Sequence, residues 1–412
     1  MEQLEKLVGS PTIKYLSSSR ASKDHKVSEV LKNFFKEIEK LEGEVSEEEK
    51  PQFYLLIGRT LNQCYNPPTE AETYLMKAAK LSKTSVDAWN ELGEYYWNKG
   101  DVSSAKTIFA AALEKVKNSV SLRNLSTVYR HLPVAGEEDQ LNNWNQSLLY
   151  AKEAISLDMS DGKSWSTLGN LYLHLYGYTQ DISNLNSSVN AYRQAEKDPV
   201  CSKDSDFALN YGNILKAAEQ YQEAIEWYDV CETLDPESEF AIGHADVLFR
   251  SLKAVEEHVL QMGKLKQKKI HSLIQGLKNQ DSKHNFKIVP VNALEEGINR
   301  GKAVQGCVVA NSHISEGVPR CLTLAVDASQ AVNVSLYNTA KEFPVKIGER
   351  ILVPDPDFKM IEASRKGKSL KYPSIRVENP RKILFNGKSI PEQFIVPCQV
   401  RAWRPNVKTD TR

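Results

Sequence analysis

Apolar side chains recur with a helical period along the N-terminal part of the chain. Between Ala88 and Ala112 they form two short stretches separated by a Lys-Gly-Asp turn. Residues three and four positions apart share one face of an α-helix, so this segment predicts two helices packed through their apolar faces. The glycine in the first helix permits close backbone approach. The anchors of this unit are Trp89, Leu92, Gly93, Tyr96, Ala105, Phe109 and Ala112.

The same spacing recurs upstream and downstream. The upstream copy comprises Tyr54, Ile57, Gly58, Leu61, Ala71, Leu75 and Ala78. The downstream copies comprise Leu122, Leu125, Ser126 and Tyr129 with Ser147, Ala151 and Ala154; Trp165, Leu168, Gly169 and Tyr172 with Ser188, Tyr192 and Ala195; and Ala208, Tyr211, Gly212, Leu215, Ala224, Tyr228, Cys231 and Pro236. In the third unit a polar, turn-rich segment from Pro133 to Asn145 delays the second helix. A period of about 34 residues with these anchors is that of the tetratricopeptide repeat, which predicts a superhelix with a concave groove.

Further helices are predicted at both ends of the array. Val27 to Leu41 has one apolar stripe and is expected to cap the first repeat. Phe240 to Met262 is periodic as well and is expected to shield the last repeat from water.

From Phe286 onward the apolar period changes from helical to alternating, and Gly, Pro, Asn and Asp clusters separate short β-rich runs. These runs are 286–289, 303–309, 321–325, 332–337, 351–353 and 374–377. Five or six such strands suit a small all-β domain with the OB-fold, a partly open Greek-key barrel, and a β-sandwich is the alternative. The predicted domains are an N-terminal helical cap (1–50), the repeat array with its capping helix (51–263), a basic linker (264–285), the β domain (286–404) and a tail (405–412).

Composition excludes several functional classes. Lys+Arg and Asp+Glu both number 53 in 412 residues, so contacts with nucleic acid have to come from local patches. The six cysteines are far apart and the eight histidines lack metal-ligand spacing, which argues against disulfides, a metal site and cofactors. Nucleotide-binding and hydrolase motifs are absent from the sequence, so we expect no enzyme. No membrane span or secretory leader is predicted, and the expected location is cytoplasmic or nuclear.

The groove of such an array is lined by the first helix of each repeat. A helical stripe beginning two residues before each buried anchor contains polar residues of both charge signs. Amides bind extended peptide backbones and arginine grips carboxylates, so the stripe favours peptide binding over a merely solvated face. Its candidate peptide contacts are Asn90, Glu94, Arg123, Arg130, Lys163, Asn170, Asp206 and Asn213.

Two basic segments offer candidate contacts with nucleic acid. Lys264, Lys266, Lys268 and Lys269 precede an amphipathic stretch from Ile270 to Leu277, and they either meet phosphate backbones or solvate a linker. The second segment, residues 361–388, combines basic residues with Tyr372 and Phe385. It either binds nucleic acid or chromatin, or protects a sheet edge from aggregation, which is the preferred interpretation.

Several segments together resemble a known family. They are 88–94 with 99–102, 120–126, Ser164-Trp165, the run from Lys264 to Lys269, Tyr372 to Glu378, and Phe385 to Lys388. They look like the tetratricopeptide repeat protein 5 family, also called Strap, a stress-responsive activator of a histone-acetyltransferase coactivator. The resemblance covers about residues 50 to 400.

The resemblance implies a ribosome-associated adaptor that reads the Met-Arg-Glu N-terminus of nascent tubulin and, through an mRNA-decay adaptor, promotes decay of the tubulin mRNA. By family motif, Arg130 matches the arginine that pairs with the peptide glutamate, and Asp206 matches the acid that faces the peptide. Phe240 stands where the family has a further acid, for which Glu239 is the expected substitute. Lys266 and Lys268 match lysines that contact ribosomal RNA. The alternative function is a nuclear transcriptional coactivator scaffold that binds chromatin or coactivators through the β domain.

Overall fold

The computed structural model describes residues 1–11, 13, 16, 27–64, 66–82, 85–134, 136–236, 242–278, 286–313 and 319–397. The helices are α1 Glu2–Val8, α2 Val27–Glu42, α3 Lys50–Asn62, α4 Thr69–Leu81, α5 Val86–Asn98, α6 Val102–Lys115, α7 Ser119–Tyr129, α8 Glu137–Leu157, α9 Gly162–Thr179, α10 Ile182–Ala195, α11 Ser205–Ala217, α12 Tyr221–Leu234, α13 His244–Leu260 and α14 Gln267–Lys278. The strands are β1 Lys287–Ile288, β2 Gly297–Ile298, β3 Lys302–His313, β4 Arg320–Ala325, β5 Ala331–Leu336, β6 Arg350–Pro354, β7 Asp357–Arg365, β8 Lys368–Val377, β9 Leu384–Phe385 and β10 Lys388–Ser389. A helical array followed by a β domain is therefore confirmed.

The described residues fall into two compact units. The first contains Met1–Leu171 with Gln194–Cys201, and the second contains Tyr172–Arg193 with the described residues from Ser202 onward. The division differs from the boundary expected near residue 263, because α12 and α13 pack against the β strands.

Helix pairing in the repeats depends on close packing at glycine. A Cβ on Gly93 would overlap the ring of Phe109, and one on Gly212 would lie 2.6 Å from Cε1 of Tyr228. Ala105 and Ala112 are fully buried beside Phe109. The predicted anchor positions thus form the interface between the two helices of a repeat.

Helix α8 begins earlier than the sequence pattern indicates. The polar segment predicted to delay the helix supplies its first turns, and the helix starts at Glu137 and runs for 21 residues. Glu137, Glu138 and Asp139 lie in its first turn, where negative charge stabilises the helix dipole. Trp144 anchors the added turns because its side chain is buried.

The N-terminal helix predicted from Val27 to Leu41 spans Val27–Glu42, with Phe34 and Ile38 buried. Helix α1 is not predicted by the sequence pattern, although its Leu4 is buried. Its short run of apolar residues cannot establish a period.

The β strands close into a barrel. Antiparallel pairing joins β3 to β4, β4 to β5, β7 to β8 and β3 to β6, while β5 and β8 run parallel. Only Asp355 and Pro356 separate β6 from β7, so these two act as one bent strand that closes the ring. The ring has five strands when β6 and β7 are taken together, which fits the OB-fold rather than a sandwich. The hairpin of β7 and β8 is longer than predicted, since the alternating pattern assigns only residues 374–377 of it to a strand.

Both faces of the central strands are covered. Every residue of β4 and β5 is buried. One face lies in the barrel core with Leu322 and Val334, and α13 packs against the same two strands from outside. In the five-stranded ring, which begins at β3, β4 and β5 are the second and third strands. An OB-fold usually presents these two strands to an oligonucleotide or oligosaccharide. In this chain that surface is an internal one.

Candidate functional site

Arg130 lies directly after α7 in the first unit, where its cation suits the negative end of the helix dipole. The residue is only 6% exposed, and its Nη1 donates a hydrogen bond to the backbone oxygen of Thr167 at 3.3 Å. This bond fixes the guanidinium between α7 and α9. Arg130 is therefore a preorganised cation with little conformational entropy left to lose on binding a carboxylate.

Several other predicted contacts of the first unit are engaged between repeats. Arg123 pairs with Asp161 at 2.9 Å, and Asn124 donates to Glu94 at 3.1 Å. Asn90 is buried, and its Oδ1 accepts a hydrogen bond from Ser121 at 2.7 Å. First helices of successive repeats lie side by side, so their polar stripes bond to each other.

The structure places the remaining predicted groove residues of this unit on α9. Lys163 is exposed and Asn170 is half-buried. Glu239, the expected substitute for the family acid, lies outside the described residues together with Phe240.

Asp206 lies in the first turn of α11, in the second unit. Burial raises its pKa to about 6, with further contributions from the nearby carboxylates of Asp204 and Asp235. Asp204 caps the same helix and accepts hydrogen bonds from the backbone nitrogens of Asp206 at 2.8 Å and Phe207 at 3.1 Å. Among the described residues, no cationic side chain offsets these effects on the pKa of Asp206. Such a carboxylate is suited to a cationic partner.

Asn213, farther along α11, is bonded inside its repeat. Its Oδ1 accepts a hydrogen bond from the hydroxyl of Tyr228 at 2.8 Å. The stripe on α11 thus contains Asn213, whose side chain is bonded within the repeat, and Asp206, whose pKa is raised.

The predicted lysine patch, which comprises Lys264, Lys266, Lys268 and Lys269, is exposed. Lys264 ends a 3-10 turn, Met262–Lys264, and the other three lie at or just before the start of α14. Only Lys264 approaches a carboxylate within 4 Å in the described residues, at 3.8 Å from Glu257. Lys266, Lys268 and Lys269 therefore present unneutralised positive charge to the solvent.

The support beneath this patch is rigid. Ile270, Ile274 and Leu277 form the buried face of α14, which packs against β3. Gly263 has a φ of +64°, and a Cβ there would overlap the backbone of Val309. Only glycine fits this contact, so the turn holds the lysine patch against the barrel.

The second basic segment is used inside its own unit. Arg365 pairs with Asp229 and Asp246, and Lys366 pairs with Asp246 at 3.0 Å. Tyr372 is 1% exposed and Phe385 is buried as well. The two aromatics are therefore not stacking platforms, and the charges of Arg365 and Lys366 neutralise acids on α12 and α13.

Sequence reasoning missed a buried cluster formed by Tyr176, Glu219, Tyr337, Arg376 and Glu378. Arg376 Nε donates to Glu378 at 2.9 Å and Nη2 to the hydroxyl of Tyr176 at 3.2 Å. Arg376 is 159 positions from Ala217 and 200 from Tyr176 in the sequence, so no local pattern connects the cluster. The only available signal was an arginine at the end of an apolar strand, Ser374 to Val377.

The described residues contain no group of three or more His, Cys, Asp or Glu side chains able to hold a metal ion. Among them, no helix is both long and apolar enough to cross a membrane.

Comparison with known proteins gives matches in both parts of the chain. Residues 285–399 match the family model of the tetratricopeptide repeat protein 5 OB fold domain, and residues 86–114 and 205–238 match a tetratricopeptide repeat model. Tetratricopeptide repeat protein 5 of Bos taurus is 34% identical over 382 residues, which cover 89% of this chain and 86% of the relative. The Homo sapiens protein is 34% identical over 380 residues, with coverages of 88% and 86%. Among solved structures, a thermophilic TPR protein of Thermus thermophilus aligns with a TM-score of 0.40 and 15% identity, over 48% of this chain and 95% of that chain.

Proposed function

Because the chain belongs to the tetratricopeptide repeat protein 5 family, we propose that it is a ribosome-associated adaptor for nascent tubulin. It recognises the N-terminal peptide of tubulin as the peptide emerges and promotes decay of the translated mRNA. An adaptor or scaffold role in general follows from the family and from the repeat array. Tubulin, the ribosome and the decay pathway are the specific part of the proposal.

The observation that best supports this proposal is that one compact unit holds both Asp206 and the lysine patch. A protein that reads a peptide at a fixed point on the ribosome has to hold its peptide-reading and RNA-binding residues at a constant separation. The second unit meets this requirement for Asp206 and the lysine patch, because α11 and α14 both belong to it.

The tubulin N-terminus, Met-Arg-Glu, presents a cation and an anion in adjacent residues. We assign the peptide arginine to Asp206, whose partly desolvated carboxylate gains most from a cationic partner. Considered within the first unit by itself, Arg130 is the candidate for an anionic group of the ligand, because its guanidinium is held by the Thr167 carbonyl. Charge-assisted hydrogen bonds of this kind contribute about 1.5 to 3 kcal/mol each.

The ribosome contact is tested by reversing charge in the lysine patch. The double change Lys266→Glu and Lys268→Glu should abolish co-sedimentation with ribosomes, because it replaces two exposed cations with anions that phosphates repel. Affinity for a free Met-Arg-Glu peptide should not change. The wild-type interaction should also weaken steeply between about 50 and 200 mM salt, as expected when about two or more phosphates are neutralised.

The matched control is Lys382→Glu with Lys388→Glu, which makes the same charge change at exposed positions of the second basic segment. This variant should sediment with ribosomes like wild type. Loss of sedimentation in the control but not in the lysine-patch variant would overturn the proposed RNA surface.

The nuclear scaffold remains a second candidate, but the structure favours it less. A scaffold that binds nucleic acid through the β domain needs an exposed barrel face, and β4 and β5 are covered on both sides. Titration of the full chain with single-stranded and duplex DNA separates the two candidates. Salt-sensitive micromolar binding that survives reversal of Lys266 and Lys268 would support the scaffold.

A further inference from the structure

The end of α11 is capped by side chains of the barrel. Arg376 Nη1 donates to the backbone oxygen of Ala217 at 2.8 Å, and the hydroxyl oxygen of Tyr337 lies 3.4 Å from the same oxygen. Lys359 Nζ donates to the next backbone oxygen, on Ala218, at 3.4 Å. The last carbonyl groups of a helix have no partner within the helix, and cations there also complement its dipole. Side chains of the barrel thus donate hydrogen bonds to the last carbonyl groups of α11, which have no donor within the helix.

Glu219 strengthens this contact. Its backbone has a φ of +57°, which ends the helix, and its side chain is fully buried. Its carboxylate accepts a hydrogen bond from Tyr337 at 3.0 Å and lies 3.8 Å from Arg376 and 3.6 Å from Lys359. The guanidinium of Arg376 also stacks on the Tyr337 ring at 3.8 Å. A buried carboxylate tolerates little displacement from its cation, because leaving it unpaired strongly destabilises the folded state.

The helix that is capped in this way carries Asp206 at its other end. Asp206 and Ala217 are the second and last residues of α11, so they lie roughly 16 Å apart along the helix axis. A helix is stiff over this length. Movement at its capped end therefore displaces the Asp206 carboxylate.

We propose that Arg376 is a positioning residue for peptide recognition. Held by the barrel, it fixes the end of α11 and thereby determines where Asp206 meets the second residue of the bound peptide. The barrel acts as a closing element of the repeat array, and the face that other OB-folds use for ligands is used here for packing. This inference rests on the proposed function, in which Asp206 reads the peptide arginine.

The test measures selectivity in the full chain with Arg376→Met, which keeps an unbranched apolar stem but removes the guanidinium with its charge and donors. Selectivity at peptide position 2 is the affinity for Met-Arg-Glu divided by that for Met-Gln-Glu. Selectivity at position 3 is the affinity for Met-Arg-Glu divided by that for Met-Arg-Gln. We expect position 2 selectivity to fall by on the order of tenfold, while position 3 selectivity, which does not involve the Asp206 carboxylate, stays within about twofold.

A purely structural role would give a different result. Partial unfolding lowers the concentration of competent protein and reduces all three affinities by the same factor, so both ratios would be unchanged. Unchanged ratios, or equal losses at the two positions, would overturn the inference. Arg376→Lys should restore part of the position 2 selectivity, since it keeps a cation near Glu219.

The control is Arg381→Met, because Arg381 pairs with Glu392 at 2.7 Å on the exposed surface of the same barrel. It should leave both ratios at the wild-type values. If Arg376→Met fails to fold, Tyr337→Phe replaces it; this change removes one hydroxyl from Glu219 and Ala217 and should lower only position 2 selectivity, by a smaller factor.

Amide hydrogen exchange provides a readout that needs no peptide. Arg376→Met should accelerate exchange in α11 and leave α5, in the other unit, protected as in wild type. Unchanged exchange in α11 would overturn the positioning role even if the peptide binds. Absence of Met-Arg-Glu binding by the wild-type chain, with faster exchange in α11 of the variant, would overturn the proposed function but support the capping role of Arg376.

Discussion

Asp206 illustrates how the fold keeps a destabilising charge where a ligand is expected. The residue is placed in a first helical turn, where an acid is ordinarily favourable. Burial and two nearby carboxylates outweigh that benefit and raise its pKa to about 6. At neutral pH the carboxylate is therefore ionised at a cost to stability, and a cationic ligand relieves that cost.

Asp206→Asn should stabilise the free protein at a pH of about 7.5 by about 1 to 2 kcal/mol, because it removes this charge, and should weaken binding of Met-Arg-Glu. For an acid with a raised pKa, folding stability falls as pH rises through the interval between the unfolded value, 3.8, and about 6. The stabilising effect should thus disappear at a pH of about 4. Chemical denaturation at both pH values measures it.

The matched variant is Asp204→Ala, two residues away. It removes the cap bonds to the nitrogens of Asp206 and Phe207 and should destabilise the protein by about 1 kcal/mol. If both variants shift stability in the same direction at neutral pH, the electrostatic account of Asp206 is wrong.

Among the elements, the helices depend on glycine in two different ways. Gly93 in α5 lets the ring of Phe109 approach the backbone, so the space for a side chain is already filled. Gly276 in α14 has no atom within 4 Å of the position a Cβ would take. Both residues are helical, and only the first contributes to packing.

Gly93→Ala should lower the free energy of unfolding by about 1 to 3 kcal/mol, because the added methyl group overpacks the helix pair. Gly276→Ala should raise it by about 0.5 to 1 kcal/mol, since alanine favours the helix and meets no neighbour. Thermal or chemical denaturation of the two variants tests this opposite pair of effects. A loss of stability in Gly276→Ala would contradict the open environment of α14.

The sequence predicted most of the repeat core, because apolar side chains at a helical spacing have to be buried together. It did not predict the start of α8, where the polar residues of segment 133–145 read equally well as a loop. Asn90 and Arg123 were predicted as peptide contacts from their stripe alone, yet they bond to neighbouring repeats. Polarity shows that a side chain needs a partner, but not whether the partner is a ligand or another helix.

The alternating pattern predicted a β domain, but it could not show which face of β4 and β5 would be exposed. Their polar residues, such as Thr323, Asn333 and Ser335, resemble solvent-facing positions in the sequence. In the structure they are buried, and Asn333 Nδ2 donates to Ser335 at 3.1 Å and to Ser374 at 2.9 Å. Packing of α13, which is distant in the sequence, against these strands determined this outcome.

On the scale of the whole molecule, we expect unfolding to follow the two compact units rather than the helical and β domains. The ion pairs of Arg365 with Asp229 and Asp246 connect the barrel to α12 and α13 within one unit. The side chain of Arg365 is 8% exposed, so these pairs are partly shielded from salt. The last repeat and the barrel should therefore lose their structure together.

Arg365→Ala should destabilise the second unit by about 1 to 3 kcal/mol. Hydrogen exchange should accelerate in α12, α13 and β7 alike, whereas α5 and α6 in the first unit should be unaffected. Faster exchange in β7 alone would show that the barrel unfolds independently. Arg381→Ala, at an exposed pair, is the control.

The same contact predicts sensitivity to acid. Hydrogen bonds from Arg365 and Lys366 lower the pKa of Asp246 to about 2. An acid with a lowered pKa contributes stability that is present above its unfolded value of 3.8 and is lost as pH falls toward about 2. Wild-type protein should lose stability over that interval more steeply than Arg365→Ala, as measured by denaturation at each pH.

The cap on α11 has a consequence for the time course of synthesis. Ala217 and the arginine that binds its carbonyl are separated by 159 residues. At about 5 to 20 residues per second, the last groove helix leaves the peptidyl-transferase centre roughly 8 to 30 seconds before its capping arginine is made. Under the proposed function, α11 would carry Asp206 without its cap during that interval, and we expect full selectivity for the peptide only once β8 has been translated.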